Sequence, residues 1–183
     1  MSSLDYSALP PDLPVPEDDG AADGIEGREL PDVELASTAG EPEPLRTDGT
    51  LVLYVYPATG VPGQPLPEGW DDIPGARGCT PENCSFRDHA AELAKLGATV
   101  RGLAAQDLGE QRDFAERERM PYPLLNDAEL VLANELGLPT FSDGRRTLYK
   151  RITLIARDGR IERVFYPVFP PDTHVSDVLA ALR

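Results

Sequence analysis

The run Leu51-Val-Leu-Tyr-Val-Tyr56, closed by Pro57, constrains the fold more than any other part of the chain. It is short, continuously apolar and rich in β-branched and aromatic side chains, as is typical of a strand that is buried on both faces of a largely parallel sheet. Parallel strands must be joined by a crossover, which is usually helical. The run therefore predicts an α/β protein with a helix after this strand.

The expected helix begins at about Pro81. Thr80 is an acceptable N-cap, and proline is favoured in the first helical turn. Apolar residues then recur on one face, and Gly97 is expected to end the helix. These residues are Phe86, Ala90, Leu93 and Ala94.

The remaining pattern alternates between strands and helices. It predicts a strand at 98–103, a polar helix at 111–119, a short strand at 123–125, a helix at 128–136, strands at 147–156 and 161–166, and a helix at 175–182. Asp158-Gly159 lies between the last two strands and favours a tight antiparallel turn. The predicted fold is a thioredoxin-like α/β sandwich, in which helices flank a central mixed β-sheet.

Negative charge is concentrated at the start of the chain. Residues 1–48 carry thirteen Asp or Glu and two Arg, out of a net charge of −15 for the whole protein. Residues 1–28 are also rich in proline and poor in large apolar groups, so we expect a disordered acidic tail there. Such a tail would either dock a basic partner or simply increase solubility. Residues 29–183 then form the folded domain, with a Pro/Gly-rich loop inserted at about 58–78.

Composition also excludes some functions. The clusters of Lys and Arg that contact nucleic-acid phosphates do not occur in this sequence. It has no apolar run long enough for a membrane span, and its first 30 residues do not resemble a secretory signal. We therefore expect a cytoplasmic protein that binds neither nucleic acid nor membranes.

Cys79 and Cys84 are the only cysteines, and they lie at the start of the predicted helix. In a reducing cytosol such a pair is more often catalytic, redox-sensing or metal-binding than a permanent cross-link. Two sulfurs without two further ligands do not favour a zinc or iron–sulfur site, so no metal is expected. His89 and His174 are expected to be surface or helix-capping residues. A reactive thiolate needs stabilisation, which the helix start and Arg151, in the centre of a predicted strand, could supply.

Several motifs occur in an order that is typical of one family. They are the strand ending in Tyr56-Pro57, Gly78-Cys-Thr-Pro-Glu-Asn-Cys-Ser-Phe-Arg-Asp88, Leu125-Asn-Asp127, Lys150-Arg-Ile-Thr-Leu-Ile155, Asp158-Gly-Arg-Ile161 and Val164-Phe165. On these residues the chain resembles the peroxiredoxins, and among them the bacterioferritin comigratory protein or Q-type group. The resemblance covers roughly residues 29–183.

The resemblance implies a thiol peroxidase that reduces hydrogen peroxide and organic hydroperoxides. It implies that Cys79 attacks the peroxide, that Arg151 stabilises the thiolate and the departing oxygens, and that Pro57 shields the thiolate. Cys84 would then form an intramolecular disulfide with Cys79, and a thioredoxin-like reductant would reopen it. The implied assembly is a monomer or a weak homodimer.

The chain departs from the family pattern Pro-x-x-x-Thr-x-x-Cys at two positions. Asp72 stands seven residues before Cys79, where the family has proline, so Pro57 keeps the strand-end position only if residues of about 58–73 are an insertion. The family has a threonine three residues before the peroxidatic cysteine, whereas Ala76 stands there in this chain, and Thr59 is a candidate to replace the missing hydroxyl. Two alternatives remain on the same fold. One is a thiol–disulfide relay protein, although the usual C-x-x-C is absent, and the other is a redox-sensing interaction module that uses the acidic tail.

Overall fold

The computed structural model describes residues 5–183 and contains a central seven-stranded mixed sheet. The strands are β1 Glu34–Ser37, β2 Glu43–Pro44, β3 Thr50–Val55, β4 Ala98–Ala104, β5 Leu124–Asn126, β6 Thr140–Ser142, β7 Thr147–Tyr149, β8 Ile152–Arg157 and β9 Arg160–Phe165. The sheet order is β2-β1-β5-β4-β3-β8-β9, while β6 and β7 form a separate pair. Strand β3 lies inside the sheet, parallel to β4 and antiparallel to β8.

Within the described residues, five α-helices and one 3₁₀ turn accompany these strands. They are α1 Cys79–Asp88, α2 Ala90–Lys95, α3 Leu108–Arg117, α4 Val131–Leu136, α5 His174–Leu182 and the 3₁₀ turn Trp70–Asp72. None of the helices in residues 5–183 has the length and hydropathy needed to cross a bilayer.

Both faces of β3 are buried, as its continuous apolar pattern predicts. Leu51, Leu53 and Val55 belong to one core cluster, which includes residues of α4. Val52 and Tyr54 point to the opposite face, where α1, α2 and α5 provide the second cluster. The structure thereby confirms the predicted sheet with helices on both faces.

Helix α1 begins earlier than the sequence predicts. Gly78, and not Thr80, is its N-cap, and Gly78 has φ 110°, a backbone conformation that glycine adopts without steric cost. Cys79 is therefore the first helical residue. The predicted continuous helix is also interrupted at His89, which separates α1 from α2.

The predicted strand over residues 147–156 is divided in two. Strand β7 pairs with β6, whereas β8 pairs with β3 in the central sheet, and Arg151 lies in the break between them. The expectation that Arg151 occupies the centre of a strand is therefore wrong. Because the chain passes from one sheet to another at this point, Arg151 lies outside both strand ladders.

The sequence predicts a disordered tail at residues 1–28, whereas the structure places residues 5–28 on the surface of the domain; residues 1–4 lie outside the described part. We call residues 5–28 the N-terminal arm. It contains no regular secondary structure. Ile25 is nevertheless only 2% exposed and belongs to the core cluster that includes Leu51 and residues of α4. The Gly27 amide donates to the Ile161 carbonyl, and Arg28 donates to the Leu136 carbonyl. The arm has few apolar groups of its own, but these groups are buried because they pack against the surface of the domain.

The inserted loop at about 58–78 also packs on the domain. Trp70 is buried and belongs to a small core cluster that includes Ala58, Ala76 and Leu148. Its ring lies 5.9 Å from that of Phe141 between centroids. Trp70 thereby anchors the loop beside the start of α1.

Candidate active site

Cys79 lies in a closed pocket at the start of α1, and only 2% of its surface is exposed. Nη2 of Arg151 lies 3.3 Å from its Sγ atom. The thiol faces the Ala76 carbonyl at 3.7 Å, and the backbone amide of Ala58 faces the sulfur and lowers its pKa. A cation and a backbone N–H thus converge on one buried sulfur.

The guanidinium of Arg151 is held on several sides. Its Nη1 donates to Oε2 of Glu82, and its Nη2 also faces three backbone carbonyls of the inserted loop. These are the carbonyls of Gly75 at 3.2 Å, Ala76 at 3.3 Å and Arg77 at 3.2 Å. Because the guanidinium is planar and rigid, these partners determine where it presents its charge to Cys79.

Glu82 is the residue of this site that the sequence analysis missed. It is fully buried, and its Oε1 has no hydrogen-bond partner within residues 5–183. Burial raises the pKa of Glu82 to about 7, although Arg151 acts in the opposite direction. The sequence spacing could have identified Glu82, because a residue three positions after Cys79 lies on the same face of a helix.

Burial raises the pKa of the Cys79 thiol above its ordinary value. The positive charge of Arg151 lowers it, and the negative charge of Glu82 raises it. A carboxyl and a thiol therefore compete for one buried cation. The closed pocket favours the protonated thiol, and the Arg151 charge is the main influence that opposes it.

Cys84 lies in a different environment. It is half-buried, and its thiol faces Oε2 of Glu118 at 3.6 Å. Burial, and then the charge of Glu118, raise the pKa of Cys84 to about 11, against a smaller opposing effect of Arg87. The Cys84 thiol is thus kept protonated beside a carboxylate, whereas Cys79 has a cation beside it.

Two interactions hold the first turns of α1 against the sheet. The Asn83 side chain donates to the Cys79 carbonyl at 2.9 Å and accepts a hydrogen bond from the Tyr54 hydroxyl at 2.8 Å. The rings of Tyr54 and Phe86 stack with centroids 4.2 Å apart. Any unwinding of these turns must break or rearrange these contacts.

Pro57 is buried in the turn that follows β3, next to the Ala58 amide that reaches Cys79. The hydroxyl of Thr59 does not reach the cysteine and instead pairs with Gln106, whose Oε1 lies 3.3 Å away. Thr59 therefore does not replace the family threonine. Thr80 lines the same small cavity as Cys79.

The histidines lie away from both cysteines' contacts. His89 is at the junction of α1 and α2, where its ring contacts the Ser85 carbonyl. His174 is buried, contrary to expectation, and its Nε2 lies 2.9 Å from the Thr153 hydroxyl. Packing between two aromatic rings, those of Phe86 and Phe165, explains why His174 is inside.

The chain is similar to known proteins of one family. A family model described as Redoxin matches residues 25–182. A protein of Mycobacterium tuberculosis that is named as a peroxiredoxin is 34% identical over 161 residues, which is 86% of this chain and 95% of that protein. Chloroplastic peroxiredoxin Q of Gentiana triflora is 28% identical over 184 residues and covers all of this chain, which spans 69% of that protein.

Solved structures give a consistent result. The crystal structure of the peroxidoxin BcpB from Mycobacterium tuberculosis has a TM-score of 0.68 and 32% identity, covering 86% of this chain and 96% of that one. A peroxiredoxin Q of Xanthomonas campestris has a TM-score of 0.66 at 24% identity, with 86% of this chain and 96% of that one covered. At that identity the second comparison concerns the fold alone.

Proposed function

The chain belongs to the Redoxin family, within its peroxiredoxin Q group, and we propose that this thiol-dependent peroxidase uses Cys79 as its peroxidatic cysteine and Cys84 as its resolving cysteine. The observation that carries the assignment is the contrast between the two sulfurs. Nη2 of Arg151 lies 3.3 Å from Cys79, whereas a carboxylate of Glu118 faces Cys84. A thiolate is the reactive form, so the sulfur beside the cation is the nucleophile.

The proposed reaction has two steps on the enzyme. The Cys79 thiolate attacks one oxygen of a hydroperoxide, the O–O bond breaks, and the other oxygen leaves as alcohol or water after it takes up a proton. Arg151 stabilises the thiolate and the departing oxygen, and Pro57 limits the access of water. The Cys79 sulfenic acid then condenses with the Cys84 thiol, so that an S–S bond forms and water is released.

The second step requires a local change in α1. Both cysteines lie in this helix in the reduced protein. Five residues of an ideal helix separate two Cα atoms by about 8.6 Å, whereas a disulfide spans about 4.4–6.8 Å. The first turns of α1 must therefore unwind before Cys79 and Cys84 can bond.

We expect backbone amides between Thr80 and His89 to lose hydrogen-exchange protection when the protein is oxidised, because helical hydrogen bonds are given up for the disulfide. Exchange measured by mass spectrometry on both redox states checks this. The amides of β3 serve as the control, since this strand is inside the sheet and should not change. Unchanged protection at 80–89, with the disulfide verified by mass, would mean that the cysteines pair without unwinding.

The disulfide must be reduced by an external dithiol, for which we propose a thioredoxin-like protein. The substrates that we propose are hydrogen peroxide and organic hydroperoxides. We further propose a cytoplasmic enzyme that works as a monomer or a weak homodimer, without a metal or an organic cofactor.

Stopped-flow mixing of the reduced protein with hydrogen peroxide tests the proposed function. Trp70 is the only tryptophan and lines the same cavity as Cys79, so its fluorescence should report the oxidation. We expect a reaction orders of magnitude faster than that of free cysteine. A rate no faster than free cysteine would instead favour a redox-sensing module, and fast exchange with protein disulfides without peroxide turnover would favour a thiol–disulfide relay.

A further inference from the structure

The space above Cys79 is small and is closed on its outer side by the N-terminal arm. The cavity has a volume of about 10 Å³, and its lining includes Tyr6 of the arm together with Ala58, Trp70, Cys79 and Thr80. A cavity needs about 10–15 Å³ to hold one water molecule. In this closed arrangement nothing larger than a water-sized molecule fits beside the sulfur.

Tyr6 packs tightly on the inserted loop. A methyl group placed on Gly60 would lie 2.6 Å from Cε2 of Tyr6, so the ring rests directly on the glycine backbone. The Arg77 guanidinium lies over the same ring, 5.4 Å from its centroid, and the Tyr6 hydroxyl donates to the Gln64 carbonyl. These contacts hold the ring over the cavity.

Leu9 makes a second close contact with the site. A methyl group on Gly78, the residue before Cys79, would lie 2.8 Å from Cδ2 of Leu9. Two glycines, one in the inserted loop and one at the helix start, thus accept side chains of the arm. A side chain at Gly60 would displace the Tyr6 ring, whereas one at Gly78 would meet Pro171 as well as Leu9.

The arm is fastened farther along the chain, independently of Tyr6 and Leu9. Asp19 accepts hydrogen bonds from Lys150 at 3.0 Å and from the Tyr166 hydroxyl at 2.8 Å. Ile25 is buried in the core. Residues 5–9 can therefore lift from the pocket while the rest of the arm stays attached.

We propose that residues 5–9 of the N-terminal arm form the outer wall of the peroxide pocket, and that Tyr6 determines which hydroperoxides reach Cys79. This inference rests on the proposed function. Hydrogen peroxide has only two heavy atoms and needs little additional space, whereas a bulky organic hydroperoxide must displace the Tyr6 ring. The wall makes the enzyme discriminate in favour of hydrogen peroxide.

Lifting the wall also exposes the sulfur to solvent. Burial is the largest influence that raises the pKa of Cys79, whereas Arg151 is attached to a different part of the chain and stays in place. Opening therefore weakens the part of the burial that the arm causes, whereas the influences of Arg151 and Glu82 on the pKa of Cys79 remain.

Substitution of Tyr6 by alanine tests the proposal. We measure second-order rate constants for the reduced protein with hydrogen peroxide and with cumene hydroperoxide, and compare their ratio between variants. In Tyr6→Ala the rate constant for cumene hydroperoxide should rise about tenfold or more relative to that for hydrogen peroxide, a size typical of steric discrimination in a pocket. Gly60→Ala should shift the ratio in the same direction, because its added methyl group displaces the Tyr6 ring.

Two matched variants act as controls. Tyr6→Phe keeps the ring and should keep the discrimination of the unchanged protein. Val15→Ala alters an exposed residue of the same arm and should leave the ratio unchanged. Circular dichroism and thermal unfolding check that each variant folds.

The outcomes separate this inference from the proposed function. If Tyr6→Ala and Gly60→Ala fold and keep the original ratio, Tyr6 does not control access and the inference is overturned. If the unchanged protein does not react rapidly with hydrogen peroxide, the proposed function fails before the ratio is considered. An equal rise for both peroxides would also overturn the claim of specificity, because the wall would then act as a non-selective gate.

Discussion

Cys79→Ser is expected to abolish peroxide consumption, whereas Cys84→Ser should still complete one oxidation. The reason lies in the surroundings of the two sulfurs. Arg151 and the Ala58 amide face Cys79, while Glu118 faces Cys84 and helps to keep its thiol protonated. Serine has nearly the same shape as cysteine but cannot form a reactive thiolate, so the two variants differ from the protein only in chemistry.

The measurement is the amount of peroxide consumed per protein, with and without a thioredoxin system. Cys84→Ser should consume one equivalent for each sulfenic acid that mass spectrometry finds on Cys79, and one further equivalent for each step to a higher acid. The unchanged protein should instead accumulate a Cys79–Cys84 disulfide without reductant. A first oxidation on Cys84 would reverse the assignment of the two roles.

Replacing Arg151 with methionine should lower the rate of the peroxide reaction at neutral pH by about tenfold or more, because a neighbouring opposite charge shifts a pKa by about one to three units. Burial already raises the pKa of Cys79, and Arg151 lowers it. Loss of the cation raises this pKa further, so less thiolate is present at any given pH. The rise of the rate with pH should therefore move to higher pH.

The same substitution leaves Glu82 buried without its ion-pair partner. Breaking a buried pair in this way costs about 3–5 kcal/mol of stability, so Arg151→Met could lose activity through unfolding alone. The double variant Arg151→Met/Glu82→Gln removes both charges and avoids this cost. If this double variant folds normally and still reacts slowly with peroxide, the lower rate results from the missing positive charge beside Cys79.

Glu82→Gln tests the opposite electrostatic effect on Cys79, which is the removal of a nearby negative charge. Glutamine can still accept a hydrogen bond from Arg151 but removes the negative charge that raises the pKa of Cys79. The pH profile of the peroxide reaction should move to lower pH, opposite to the shift in Arg151→Met. Equal reactivity of the protein and of both Arg151 variants at neutral pH would leave Arg151 with a purely structural role.

Much of the fold was predictable from local patterns. The apolar run at 51–56 predicted a strand buried on both faces, and the structure confirms this through its two core clusters. Asp158-Gly159 predicted the tight turn, and both residues have positive φ angles of 48° and 85°. Such features depend on near neighbours in the chain, whose preferences the sequence carries directly.

Other features depended on partners far away in the sequence. The break at Lys150-Arg151 arises because β7 and β8 pair with different strands, and no local pattern encodes that choice. The N-terminal arm is ordered because distant parts of the domain, including Lys150 and Ile161, receive it. The composition of this segment shows that it has few apolar groups, but it does not show that distant parts of the chain pack against it.

The sequence by itself determined the α/β fold, the placement of two cysteines at a helix start and the resemblance to the peroxiredoxins, because each depends on residue types at short spacing. Only the tertiary structure decided that Glu82 shares Arg151 with Cys79, that Thr59 turns to Gln106 and that Tyr6 covers the pocket. Burial and electrostatics act through space. A carboxylate, a cation and a thiol that are separated along the chain influence one another's pKa only after the fold has brought them together and excluded water.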